Sequence, residues 1–130
     1  MKNSKVEICF IGNAIVDILS KISNETLNEL KISKGSMQLV DEESSDNILK
    51  YIKDPSIISG GSAANTAVGF KSFGGTCSFI GQIGNDEFGD LFSKDLNNSG
   101  IFFKSKNFEN RDKTSKSIIL VTPDAERSMN

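Results

Sequence analysis

Histidine is absent from the 130 residues, so neither imidazole acid–base catalysis nor a histidine-held metal can come from this chain. Cysteine is scarce: Cys9 and Cys77 are the only two, and no C-x-x-C pair is present for zinc or redox chemistry. Both lie in apolar runs, EICFIG and TCSFIG, and read as buried strand residues. Sparse cysteine without a signal-like N-terminus points to a reduced, cytoplasmic setting. No apolar run is long enough to span a membrane. Neither sign of charge dominates. A net charge of −2 argues against nucleic acid or an anionic membrane as the main partner. Two nucleotide-binding signatures are also missing, the P-loop G-x-x-x-x-G-K-[ST] and a G-x-G-x-x-G directly after a strand. The stretch GQIGNDEFG has glycines at 81, 84 and 89, but at the wrong spacing. A nicotinamide-dependent Rossmann oxidoreductase loses on that ground.

What remains is ordinary material for one packed domain, or part of a larger one: 37% hydrophobic and 25% charged residues. Val6 to Ile11 is a continuous apolar run of strand type, expected to be covered on both faces as a central strand. Ala14 to Ile22 alternates less cleanly and reads as an extension that leaves the main sheet. SNETLNELKI predicts a short helix capped by Ser23 or Asn24. KGSMQLVD predicts a turn and then a strand. DEESSDNILKYI has an acidic first turn, followed by Ile48, Leu49 and Ile52 at helical spacing. Ser62 to Phe73 predicts a helix opened by Gly60-Gly61, and Cys77 to Ile83 a second apolar strand. The next helix has Asn85 or Asp86 as N-cap, Phe88, Leu91, Phe92 and Leu96 as apolar face, and Gly100 as stop. IFFKSKNF and SKSIILVT predict two further strands, joined as a hairpin by ENRDKT. The strand–helix–strand order implies an α/β fold with a parallel sheet and packed helices, and the excursions imply a second, smaller sheet.

SGGSAANTA, residues 59 to 67, gathers the smallest side chains of the chain around one amide, Asn65. On one reading, Gly60-Gly61 only makes a tight turn into a helix capped by Ser62. On the other, backbone bare of Cβ lets a ligand approach helix N–H groups that lack partners. Asn65 then offers a donor and an acceptor to a hydroxyl-bearing ligand. Asp17, after the Gly12-Asn13 turn, is a second candidate. In open α/β sheets ligands bind beyond the carboxyl ends of the strands, where a carboxylate can accept from two sugar hydroxyls.

Taken together, Gly12-Asn13…Asp17, GGSAANTA, Gly74, IGQIGNDEFGD, SGI and TSKSIILVTPDAERSMN carry a resemblance from Val6 to Asn130. The chain resembles the N-terminal part of a ribokinase-like (PfkB) carbohydrate and purine kinase. GNAIVDI and KGSMQLVDEE look most like the adenosine kinase branch. The resemblance implies an ATP-dependent phosphotransferase that uses Mg²⁺ and acts on a primary hydroxyl of a nucleoside, adenosine, or of a sugar. It implies that Asp17 holds ribose hydroxyls, that Gly60, Gly61, Ser62 and Asn65 line the ribose pocket, that Asn13 and Gln38 lie near purine or ribose, and that Arg127 is a lid arginine. It further implies a lid sheet drawn from residues 14–22, 36–40, 101–108 and 117–122, closing to exclude water.

The sequence departs from that pattern in one respect. The family's catalytic Asp sits in a G-A-G-D motif, which does not occur in residues 1–130. The N-x-x-E motif and the ATP site also belong to the later half of such kinases. The expectation is therefore a substrate-recognition half without its own general base, inactive when alone. The alternative is a binding module that holds a nucleoside or sugar without chemistry.

Overall fold

The computed structural model describes residues 5–105 and 113–130. In chain order the elements are β1 (Ile8–Ile11), β2 (Ile15–Lys21), α1 (Asn24–Glu29), α2 (Glu42–Leu49), β3 (Ser56–Gly60), α3 (Ser62–Ser72), β4 (Cys77–Ile80), α4 (Glu87–Asn98), β5 (Phe102–Phe103), β6 (Ser115–Val121) and β7 (Arg127–Met129). They fall into two compact units, residues 1–16 with 58–115, and residues 17–57 with 116–130.

The first unit is α/β. Its sheet has the order β1-β4-β5, with both pairings parallel, and α3 and α4 pack on it. Helix α4 forms where Phe88, Leu91, Phe92 and Leu96 recur on one side; Phe92 and Leu96 are buried and Phe88 and Leu91 pack against the same core. Phe79, Phe92 and Phe103 form an aromatic triangle with ring centroids 5.4 to 5.8 Å apart. Helix α3 buries only Ala64 and Ala67, small side chains that allow close approach to the strands beneath. The Cys77 thiol, on β4, donates to the Ala67 carbonyl at 3.6 Å.

In the second unit, Ile22, Leu27, Ile32, Ile48, Ile118 and Leu120 form a separate core. The four-stranded sheet has the order β3-β2-β6-β7, with β6 and β7 antiparallel. Ser23 caps α1 and Asp41 caps α2, each accepting from a backbone N–H of the first turn.

Several sequence expectations are corrected. Strand β1 is not covered on both faces: Ile8, Cys9 and Ile11 are exposed, and among the described residues β1 pairs with β4 alone. Cys9 is accordingly exposed, while Cys77 is buried as expected. Residues 36–40 form no strand, only an isolated bridge from Met37 to Met129. Phe102 and Phe103 join β4 in parallel instead of a small separate sheet, since Phe103 buries its ring in the aromatic triangle; residues 106–108 lie outside the described residues. The hairpin expected between the last two apolar runs is replaced by one between β6 and β7, closed by Thr122 N–H to the Glu126 carbonyl at 3.0 Å. The N-cap of α3 is Gly61, and Ser62 is the first helical residue. Strands β3 and β7 were not expected at all. Both are short; β3 leaves Ile57 and Ile58 exposed, and the one buried residue of β7 is the polar Ser128, so neither shows an apolar alternation.

Phe92 has no exposed surface and touches two aromatic neighbours. Phe92→Ala should therefore cost about 3–5 kcal/mol, the range for deleting a buried ring. Urea denaturation followed by circular dichroism checks this; a loss under about 1 kcal/mol would mean that the triangle does not hold the first unit together.

Candidate functional site

In the first unit, the loop leaving β1 touches the start of α3. Gly61 has φ +95°, and a Cβ there would stand 2.8 Å from the Asn13 carbonyl oxygen. A Cβ on Gly12 would stand 2.7 Å from the Ala63 Cβ. Only glycine satisfies both the left-handed backbone at 61 and the closeness at both positions. The scarcity of side-chain bulk is therefore partly internal: Ala64 and Ala67 serve the core. What faces outward in this stretch is polar, with Ser62 and Asn65 exposed.

No side chain caps α3, whereas Ser23, Asp41 and Asp86 cap α1, α2 and α4. The first-turn N–H groups of α3 thus lack a side-chain acceptor, and the helix ladder starts with Asn65 N–H to the Gly61 carbonyl at 2.9 Å. Asn65 lines an open cleft of about 380 Å³ with Ser59 and Asp95, where the Ser59 hydroxyl donates to Asp95 at 2.7 Å. Asn13 lines a different cleft, of about 250 Å³, with Gln82, Ile83, Gly84, Lys113 and Ser115. The fold thus sets the Asn13 carbonyl against Gly61 but gives Asn13 and Asn65 separate clefts.

The wall of the Asn13 cleft is fixed by a residue read from the sequence only as a cap. Asp86 caps α4 by accepting from Gly89 N–H at 2.8 Å. It also accepts from the Thr114 N–H at 2.8 Å and the Thr114 hydroxyl at 2.6 Å, while Gly84 N–H donates to that hydroxyl oxygen at 2.9 Å. Gly89 must be glycine, since a Cβ would stand 2.3 Å from the Gly84 carbonyl oxygen. Burial pushes the Asp86 carboxyl up, but the bonds from Thr114 and Gly89 and the charge of Lys113 outweigh it and hold it below its ordinary value. Thr114 is 28 residues away and carries no signal in the local sequence.

In the second unit, Asp17 lies on β2, where Ile18 and Ser20 are buried and Asp17 and Leu19 are half-buried. Alternation puts Asp17 on the face opposite Ile18. Burial raises its carboxyl above its ordinary value, and no hydrogen bond or ion pair among the described residues engages it. Gln38 is exposed, and its N–H donates to the Met129 carbonyl at 2.9 Å. Arg127 is exposed at the other end of β7, opposite Val121. The turn before Gln38 is tied to the same strand by Gly35 N–H to the buried Ser128 hydroxyl, at 3.0 Å. This unit therefore brings the Gln38 and Arg127 segments side by side.

The chain has known relatives in sequence and in fold. Residues 9–130 match the pfkB family carbohydrate kinases. The chain belongs to that family. A probable sugar kinase of Rhizobium etli CFN 42 is 36% identical, with a TM-score of 0.84, over 96% of this chain and 38% of its own. The adenosine kinase of Sinorhizobium meliloti is 37% identical, with a TM-score of 0.84, over 98% of this chain and 39% of its own. Among curated relatives, probable fructokinase-3 of Arabidopsis thaliana is 26% identical over 92% of this chain and 28% of its own length. The chain thus spans well under half the length of these pfkB relatives. Among the described residues of this pfkB chain, no helix is long and apolar enough to cross a membrane.

Asp86 yields a pH prediction. Its folded pKa is depressed, so its stabilising contribution is present above the unfolded carboxylate value of about 3.9 and is lost as pH falls through the lower folded value. Asp86→Asn should therefore be less stable than the native chain at neutral pH, with the gap closing below about pH 4. Thermal melts of both proteins between neutral and acid pH check this; a gap independent of pH would remove the charge of Asp86 from the argument.

Proposed function

We propose that this chain is the substrate-recognition part of an ATP-dependent phosphotransferase acting on a primary hydroxyl of a nucleoside, adenosine, or of a sugar. Membership of the pfkB carbohydrate kinases supports the reaction class. Within that class, the observation that carries the reading is Asp17, a half-buried carboxylate without a partner among the described residues. A desolvated acceptor of this kind is suited to two hydroxyls of a ring. Adenosine enters the reading through the 37% identity to the adenosine kinase of Sinorhizobium meliloti, beside a probable sugar kinase of Rhizobium etli CFN 42 at 36%. The fructokinase relatives keep sugars in the reading.

In this proposal Asp17 accepts from sugar hydroxyls. The N–H groups of Gly61 and Ser62 and the amide of Asn65 hold further oxygens, with Gly60 keeping the approach open. Asn13 and Gln38 contact the remainder of the substrate, and Arg127 covers it. ATP with Mg²⁺ supplies the phosphoryl group when bound. Among the described residues no group of three or more His, Cys, Asp or Glu side chains is placed to hold a metal ion, and in this proposal ATP and Mg²⁺ are bound outside these residues. The general base is likewise assigned to none of the 130 residues. Because base assistance is worth about 10²–10⁴-fold, binding and turnover are expected to separate. The two free thiols accord with the reduced cytoplasmic setting that forms part of this proposal.

Asp17→Asn in the full-length protein should weaken substrate binding by about 1–3 kcal/mol, the worth of hydrogen bonds to a charged acceptor. Calorimetry with adenosine reads this directly, and unchanged affinity would remove Asp17 from the site. Residues 1–130 alone should consume no ATP above a no-protein control with adenosine present. Turnover by that piece would place a base inside it and overturn the division of labour.

A further inference from the structure

We propose that Asp95 is a positioning residue for the glycine pair: by accepting from the Ser59 hydroxyl it holds the end of β3, and so sets Gly60-Gly61 and the first turn of α3. The inference rests on the reading in which Gly61, Ser62 and Asn65 meet the substrate, and deepens it by naming what holds them in place. Three observations in the first unit carry it.

The first is the support on either side of the pair. Glycine has the widest backbone freedom of any residue, so Gly60-Gly61 depends on its flanks for its shape. On the helix side the flank is firm, with Ala64 and Ala67 buried and Asn65 N–H bonded to the Gly61 carbonyl. On the strand side the side chains of Ser56, Ile57 and Ile58 are exposed and pack on no core. Ser59, which directly precedes the pair, is held instead by its hydroxyl, which donates to Asp95 at 2.7 Å. A bond of that length to a carboxylate is of the stronger, charge-assisted kind.

The second is where the bond lies. Ser59, Asn65 and Asp95 line one open cleft of about 380 Å³, with β3 and the start of α3 on one side and α4 on the other. The bond ties those two sides together. Asp95 is a firm anchor, because Phe92 and Leu96 beside it on α4 are buried and fix its backbone. Among the described residues, no other hydrogen bond or ion pair engages either side chain.

The third is that Asp95 does not serve its own helix. It stands in the last turn of α4, which holds no basic residue. A negative charge there opposes the helix dipole, and alanine is the better helix former. The carboxylate is exposed, so it adds nothing to the core. Its use lies in the bond to Ser59, 36 residues away in the chain.

The test joins steady-state kinetics of the full-length protein, with ATP and whichever of adenosine, D-ribose and D-fructose it phosphorylates, to amide hydrogen exchange. Asp95→Ala should raise KM for the hydroxyl substrate about fivefold, as for one lost hydrogen bond. KM for ATP and the melting temperature should stay as in the wild type. A merely structural loss would lower the active fraction, and with it kcat, without moving KM. Asp95→Asn keeps an acceptor oxygen and should restore most of the affinity. Ser59→Ala should match Asp95→Ala, and the double variant should be no worse than either. In Asp95→Ala the Asn65 amide should exchange about fivefold faster, as for a local opening eased by one bond, while that of Phe79 in β4 is unchanged. An unmoved KM, equal shifts for both substrates, an additive double variant or unchanged exchange at Asn65 would each overturn the role of Asp95. A wild type that phosphorylates none of the three compounds removes the kinase reading instead, and exchange at Asn65 then decides the role of Asp95 alone.

Discussion

Where the loop after β1 meets the first turn of α3, almost no side-chain volume separates the two backbones. Gly61 stands so close to the Asn13 carbonyl, in a backbone conformation that other residues reach only at a cost, that the position has one solution. Gly12 against Ala63 repeats the constraint. From this contact follow the direction of α3, the placement of Ala64 and Ala67 in the core, and the absence of a capping side chain at Gly61. A helix start stripped of side chains for packing also has N–H groups within reach of a ligand, so one constraint serves both ends.

The other end of the same unit is organised around a charge. Asp86 caps α4 and also holds Thr114, joining segments 28 residues apart in the chain. The carboxylate tolerates partial burial because three hydrogen bonds and a nearby ammonium offset its desolvation. Asp17 is the contrast. It is half-buried with none of that support among the described residues. One acid is spent on structure and the other is left with its acceptor capacity, which is why the second carries the functional proposal.

Much of the fold was legible in advance. The helices over 24–29, 42–49, 62–72 and 87–98 follow from apolar spacing and caps. Strand β4 follows from its apolar run, although it stops at Ile80. The β strands of the margins were not legible. Phe102–Phe103 is a strand because Phe103 completes an aromatic triangle, a fact about Phe79 and Phe92 and not about its neighbours in sequence. Residues 36–40 had a strand-like pattern but form only one bridge, where Met37 meets β7. Of the candidate site, the glycine pair, Asn65 and Asp17 were visible as types at a spacing. That Asn13 and Asn65 line separate clefts, and that Gln82, Lys113 and Ser115 share one of them, was not.

The sequence by itself determined the local matters: which segments are helical, where α1 and α4 begin, and the motifs that carry the family resemblance. These depend on residues within a few positions of one another, where backbone sterics and side-chain-to-backbone hydrogen bonds act. The tertiary structure alone decided that, among the described residues, β1 pairs with β4 alone and leaves Cys9 exposed, that Phe103 is buried in the first sheet, and that Thr114 anchors the wall of the Asn13 cleft. Each of these depends on a partner far along the chain, and burial and pairing are properties of that partner as much as of the residue itself.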